Sequence, residues 1–211
     1  MEKVSLLQDQ IADAAVALFR EKGYEGVSVG EICAAAGIAR SSFYRAFSCK
    51  NDIIRRIFEH TDANAMVSVE ELLAAENDFD RMWIIGDRYI SLSRSLGSEL
   101  SSTFMCMTSR GEIDLLALGH SVDSWFIRLT RNCQKTGLIR SSEPAEFLGP
   151  LMVDMVYHEL YVWSMRKGNY PIRARARRVT EVLVDLAPEY RWTEQQLAEA
   201  DSVGTRIAGD S

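Results

Sequence analysis

The sequence predicts an all-α protein, with a small N-terminal helix-turn-helix three-helix domain on a larger C-terminal helical body. Three observations carry that prediction. Apolar residues recur at three- and four-residue intervals through most of the chain, while strand-like alternation is almost absent. Only 4 prolines fall among 211 residues, which suits long helices with few forced breaks. Finally, the run AAAGIAR joins two short periodic segments through Gly37, a residue able to take the positive φ that a sharp helix-to-helix turn requires.

The elements follow in order. Over residues 8–22, Ile11, Ala14, Ala15, Leu18 and Phe19 share one face, and Gly23 supplies the stop. Ser28 and Glu31 stand at the spacing of a capping box, in which hydroxyl and carboxylate each satisfy the other's backbone N–H, so a short second helix is predicted over 29–36. A third runs from about 40 to 47. The next begins at 51 and continues past His60 through Leu72 and Leu73. Further helical periods cover 79–96, 100–107, 113–134, 145–166 and 172–186, for about nine helices in all. Residues 1–50 form the head and 51–211 the regulatory and dimerisation body. The tail carries a T-x-x-Q cap at Thr193 and Gln196 and is expected to be disordered after about residue 201.

Composition removes several functional classes. With 24 Lys+Arg against 30 Asp+Glu the net charge is −6, so the chain is no cationic nucleic-acid coat. The best membrane candidate, residues 147–163, is interrupted by Asp154, His158 and Glu159. The N-terminus MEKVSLLQDQIADAA lacks the apolar run of a signal peptide, which predicts a cytoplasmic protein with reduced thiols and no membrane partner. Cys33, Cys49, Cys106 and Cys133 are scattered without ligand spacing, so neither a metal site nor a disulfide framework is predicted. His158 beside Glu159, and His120 three residues before Asp123, have no third group to complete a catalytic or metal set. No nucleophile elbow or phosphate loop is present, and no enzymatic activity, catalytic residue or cofactor is expected.

The head carries the functional signal. Ile32, Ala35, Ile38, Phe43 and Phe47 are spaced to form a miniature core with Leu18 and Phe19, which leaves Arg40, Ser41, Ser42, Tyr44 and Arg45 pointing outward. Between residues 39 and 56, Arg40, Arg45, Lys50, Arg55 and Arg56 face Asp52 alone, a local charge of +4. Residues 61–165 hold 8 basic and 15 acidic residues, so a basic head sits on an acidic body. Standing alone, such a patch would equally suit a solvated helix face.

The stretch SVGEICAAAGIARSSFYRAFSCKNDII, led in by LFREKGYEGV, resembles the N-terminal DNA-binding domain of the TetR family of bacterial transcriptional regulators. The likeness spans roughly residues 8–58, and its F-Y-x-x-F-x-x-K core is specific. It implies a cytoplasmic homodimer on a palindromic operator in double-stranded DNA, most often a repressor, with a C-terminal domain that dimerises and holds a small-molecule effector. It places Ser28 and Val29 near a phosphate. Arg40, Ser41, Ser42 and Arg45 become base- and backbone-facing residues of the recognition helix, Arg40 suited to a phosphate or to a guanine edge, and Tyr44 and Lys50 become backbone clamps. Ala39 departs from the Ser or Thr that commonly caps that helix. Cys49 departs from Ser, Asn or Gly, and is either a small residue opening a helix or a thiolate favoured by that helix and Lys50.

In the body, Trp83, Phe104, Met107, Trp125, Phe126, Met155 and Tyr157, with Asp87 as a polar group, are candidates for a ligand pocket, since Met and aromatic residues line adaptable apolar sites. The same residues also suit an ordinary core. Leu148, Leu151, Met152 and Met155 on one late helix and Val179, Val182, Leu183 and Leu186 on the next are the candidates for a dimer face, on the family's pattern of a four-helix bundle; the alternative is that they close the monomer's own core. Arg173, Arg175, Arg177 and Arg178 either solvate one face of the last of these helices or rim that interface. The competing reading of the whole chain is a helical small-molecule-binding protein or enzyme whose helix-turn-helix is only structural, or a TetR-like activator.

Overall fold

The computed structural model describes residues 2–64, 67–113 and 115–202, with side chains at 2–4, 59–64 and 115–121 outside the description. The tail after 202, on which disorder was expected, lies outside the described residues, as do the side chains of His60 and His120. The described chain is helical throughout: α1 (Glu2–Lys22), α2 (Val29–Ala35), α3 (Arg40–Ala46), α4 (Lys50–Asn64), α5 (Val69–Ala74), α6 (Asp78–Leu96), α7 (Ser98–Ser109), α8 (Leu115–Lys135), α9 (Ala145–Met165), α10 (Ile172–Leu183) and α11 (Glu194–Ala200), with a 3₁₀ turn at Pro188–Tyr190. Strand geometry among the described residues is confined to one isolated antiparallel bridge between Ile139 and Leu186.

The head forms as its pattern dictates. Ile11, Ala12, Ala15 and Phe19 of α1 meet Ile32, Cys33 and Ala36 beside α2, Phe43 and Phe47 beside α3, and Ile53, Ile54 and Ile57 of α4 in one apolar cluster. The predicted miniature core is shifted by one residue at α2. Ala36 is buried and Ala35 exposed, because Ala36, four residues after Ile32 and three after Cys33, shares their inward face. Two glutamines on α1 hold the open ends of the motif: Gln10 donates to the Ala36 carbonyl at 2.8 Å and Gln8 to the Ala46 carbonyl at 3.0 Å. These are carbonyls that a helix C-terminus leaves without intrahelical partners.

The helix predicted to continue through Leu72 and Leu73 is two helices. Ser68 accepts from the Glu71 N–H while Glu71 reaches back to the Ser68 N–H, a capping box that starts α5 afresh and leaves Leu73 exposed. The last long helix also ends early. Val184 and Leu186 turn inward to pack with Ile139, and Asp185 takes φ +48° at that corner, so α10 stops at Leu183. In the body, α8 packs along α9, and α9 also packs on α6, α7 and α10. Pro150 lies inside α9 without ending it.

Candidate nucleic-acid interface

The helix-turn-helix is positioned from its buried side. Ser28 caps α2 by accepting from the Glu31 N–H at 3.3 Å, and the Glu31 carboxylate accepts from the Ser28 N–H at 2.9 Å. Lys22 donates to the same carboxylate at 2.8 Å. Those bonds, Lys22 foremost, hold the Glu31 carboxyl down to about 2. At the other helix, Ala39 makes no side-chain cap. α3 is anchored by Phe43, which is fully buried, with Phe47 beside it.

On the outer face, Ser41, Tyr44 and Arg45 are exposed, Ser42 is half-buried, and Tyr44 stands edge-on to Phe43 with 60% of its surface open. Arg40 is exposed at the first position of α3. Ser28 is exposed and Val29 half-buried at the start of α2. The eight residues predicted to meet DNA therefore lie on or beside α2, α3 and the start of α4. They are not equivalent. Lys50 donates to the carbonyls of Tyr24 at 2.6 Å and Val27 at 3.1 Å, and stands 4.0 Å over the Tyr24 ring, so its ammonium ties the α1–α2 turn to α4. Arg55 is bonded to Asp52 and to the Glu112 carbonyl, and Arg56 to Asp9 and Ser5. Of the five cations behind the local charge of +4, Arg40 and Arg45 alone make no ion pair or hydrogen bond among the described residues. The exposed cationic face is narrower than the charge count, and it is centred on α3.

Tyr24, Asn51 and two acids of the body fasten this head. The Tyr24 N–H donates to Glu99 at 2.7 Å, its hydroxyl to Asn51 at 2.5 Å, and Asn51 donates to Glu112 at 3.1 Å. Burial foremost pushes the Tyr24 phenol up to about 12. Phe58 of α4 stacks on Phe104 of α7 at 3.8 Å. Sequence reasoning did not single out Glu99, Glu112 or Asn51. A polar residue at a helix start carries no signal of a contact whose partner lies far along the chain.

Residues 11–57 match the family model described as "Bacterial regulatory proteins, tetR family". The head is thus similar to the DNA-binding domain of that family. Among curated relatives, an HTH-type transcriptional regulator of Bacillus subtilis, YvdT, is 29% identical over 117 residues, which span 56% of this chain and 56% of that relative. The match thus covers about half of the relative's length. The fold is shared with solved TetR-type structures across nearly the whole body. FadR from Bacillus subtilis in complex with stearoyl-CoA aligns with a TM-score of 0.62 at 19% identity, over 83% of this chain and 96% of that one. Thermus thermophilus FadR, a TetR-family repressor in complex with lauroyl-CoA, aligns with a TM-score of 0.62 at 17% identity, over 86% and 97%.

The body rearranges the two other sets of expected site residues. A crevice between α6, α8, α9 and α10 is lined by Phe79, Met82, Trp83, Gly86, Phe126, Met152, Val156 and Thr180; it has room for about one water. Of the candidate ligand residues, Trp83 and Phe126 are in it. Phe104 and Met107 are not, because α7 turns them into the cluster shared with the head. Asp87 is ion-paired with Arg173 at 2.7 Å. Trp125 packs beside Arg128, 5.7 Å over its ring, and Tyr157 packs 6.1 Å from Tyr89. Met155 is half-buried on α9.

The basic run on α10 is not uniformly solvated: Arg175 is exposed and Arg173 and Arg178 are half-buried, whereas Arg177 is enclosed. Arg177 is 1% exposed, bonded to Glu181 at 2.8 Å and Asp80 at 3.0 Å, and sandwiched by Phe79, Trp83 and Trp192 with ring centroids 4.7, 5.4 and 4.8 Å away. Arg175 bonds to the Tyr170 hydroxyl and Arg178 to Glu194. Of the residues expected on the dimer face, Leu148, Met152 and Leu186 are buried in the monomer's own core, since they meet Phe79, Phe126 and Ile139 there. Leu151 and Val179 are half-buried, Leu183 leans on that core, and Val182 is 63% exposed. Phe147, Tyr161 and Met165, none of them anticipated, add exposed apolar side chains along α9: Leu151 lies four residues after Phe147, Tyr161 fourteen after it, and Met165 four after Tyr161.

Proposed function

We propose that the chain is a ligand-responsive transcriptional repressor that binds a palindromic operator in double-stranded DNA as a homodimer. The observation that carries this reading is the outer face of α3, where exposed hydroxyls and unpaired guanidinium groups stand on a TetR head whose own body is acidic. Residues 1–50 form the DNA-binding unit and 51–211 the regulatory and dimerising one. Ser41, Ser42 and Arg45 face bases, Tyr44 faces the backbone, Lys50 meets it through the one donor that its bonds to the Tyr24 and Val27 carbonyls leave, and Ser28 and Val29 lie near a phosphate. The protein acts in the cytoplasm as a regulator rather than an enzyme.

Phe147, Leu151, Tyr161, Met165, Val179 and Val182 form the dimer face, apolar side chains that the monomer's own core leaves exposed or half-buried, with Asp154 and His158 exposed among them. The effector enters between α6, α8, α9 and α10. The uncharged lining suits an apolar molecule, and the small space means that binding must part the helices, which is how occupancy reaches α6 and, through Glu99, the head. Lauroyl-CoA, the ligand of the Thermus thermophilus neighbour, is the first probe for this step.

The test is fluorescence anisotropy on the DNA flanking the protein's own gene, over a salt series. For roughly six to eight phosphate contacts per dimer, log K against log salt has a slope of about −5 to −7. A flat response sinks the DNA-binding claim.

A further inference from the structure

Arg40 opens α3, yet its guanidinium lies back across the first turn of α2. A Cβ built on Gly30 would stand 2.8 Å from Arg40 Nη2 and 3.7 Å from its Cζ, with Ser28 Oγ also at 3.7 Å. The guanidinium thus fills the space that a side chain at position 30 would occupy. No hydrogen bond or ion pair among the described residues draws Arg40 there. The acid on the same turn, Glu31, is already engaged by Lys22 and by both the N–H and the hydroxyl of Ser28. What remains at the α2–α3 seam is an exposed, always-charged fork of five donors with no protein acceptor.

We propose that Gly30 is a positioning residue: by lacking a side chain it holds Arg40 over α2, where the guanidinium grips a DNA phosphate instead of reading a guanine. This rests on the DNA-binding reading above. In helix-turn-helix docking the first helix of the motif crosses the sugar-phosphate backbone while the second enters the major groove. A guanidinium laid over α2 travels with the helix that meets the backbone, and a phosphodiester offers the paired oxygens its fork fits. Base reading then falls to the residues that keep to the outer face of α3, Ser41, Ser42 and Arg45. Of the two contacts open to Arg40, phosphate and guanine edge, this geometry takes the phosphate.

The full-length protein and its Gly30→Ala, Arg40→Ala and double variants are titrated with two duplexes over a salt series. One duplex is the sequence the wild type selects from a random-core pool, the other an unrelated sequence of equal length. Arg40→Ala weakens both duplexes by the same factor, about tenfold, and makes the salt slope shallower by about 2 per dimer, one phosphate for each protomer. Gly30→Ala shifts binding in the same direction, and the double variant binds no more weakly than Arg40→Ala alone. The melting temperature of Gly30→Ala does not fall, because Gly30 is not among the positive-φ residues and alanine favours the helix. Loss of discrimination between the duplexes in Arg40→Ala would make Arg40 a base reader and overturn the proposal. So would wild-type binding by Gly30→Ala, or losses that multiply in the double variant. If the wild type itself selects no sequence and shows no salt slope, it is the DNA-binding reading that fails, and this proposal with it.

Discussion

Gly23 and Tyr24 show how much of this protein's behaviour rests on single residues at the join of head and body. Gly23 has φ +75°, and a Cβ on it would come within 2.6 Å of Glu99 Oε1, the atom that accepts from the Tyr24 N–H. Gly23→Ala therefore imposes a left-handed backbone on a residue with a Cβ and displaces the carboxylate. A loss of about 1–2 kcal/mol in urea unfolding is expected from the backbone alone. Glu31 makes a prediction about pH. Its carboxyl is held down to about 2 by Lys22 and Ser28, below its ordinary value of 4.5, so its stabilising effect on the head is complete above about pH 4.5 and lost as pH falls towards 2. In Glu31→Gln the melting temperature should decline less steeply between pH 5 and 2 than in the wild type; an unchanged profile would remove Glu31 from the account. The Ser28–Glu31 box was legible in four consecutive letters. The Lys22 partner was not, because only the folded α1–α2 turn brings it alongside.

At the scale of elements, α3 and α5 differ in how they are started. α5 has a complete capping box at Ser68 and Glu71, whereas the apolar spacing of Leu72 and Leu73 predicts a continuation of α4. α3 has no side-chain cap at Ala39, and its position is set from below by Phe43 and from behind by Gln8 on the Ala46 carbonyl. Ala39 already has the extended backbone of an N-cap, with φ −75° and ψ 151°. Ala39→Ser should accordingly stabilise the head by about 1 kcal/mol, read as a raised denaturation midpoint at unchanged slope. α10 marks the opposite limit. Its arginines read as a surface run, yet Arg177 is enclosed by three aromatic rings and two acids drawn from α6, α10 and the segment before α11. Periodicity locates a helix face; it does not say what packs on that face.

For the whole molecule, the open apolar surface along α9 and α10 is the feature with the largest consequence. Val182 and Tyr161 are exposed at 63% and 49% without serving the monomer's core, so a charge placed there leaves the fold intact and works against association. Val182→Glu should sediment as a monomer with wild-type helicity, and its DNA affinity should fall because two linked heads no longer bind as one. A Val182→Glu protein that remained dimeric would move the interface elsewhere. The net charge of −6 likewise resolves at this scale: Arg55 and Arg56 turn into hydrogen bonds with α1, α4 and the body, while Arg40 and Arg45 stay outside.

By itself the sequence determined the helical class, the capped start of α2, the glycine turn into α3 and the outward set on that helix. Those are local properties, written within one or two turns of chain where backbone preference and apolar spacing act. Tertiary structure alone decided which aromatic residues surround the crevice and which brace the head. It also decided that Leu148, Met152 and Leu186 are core rather than interface, that Arg177 is buried, and that Arg40 lies against Gly30. Each of these depends on which elements meet, and burial, ion pairing and close approach between distant segments leave no fixed interval in the chain to be read.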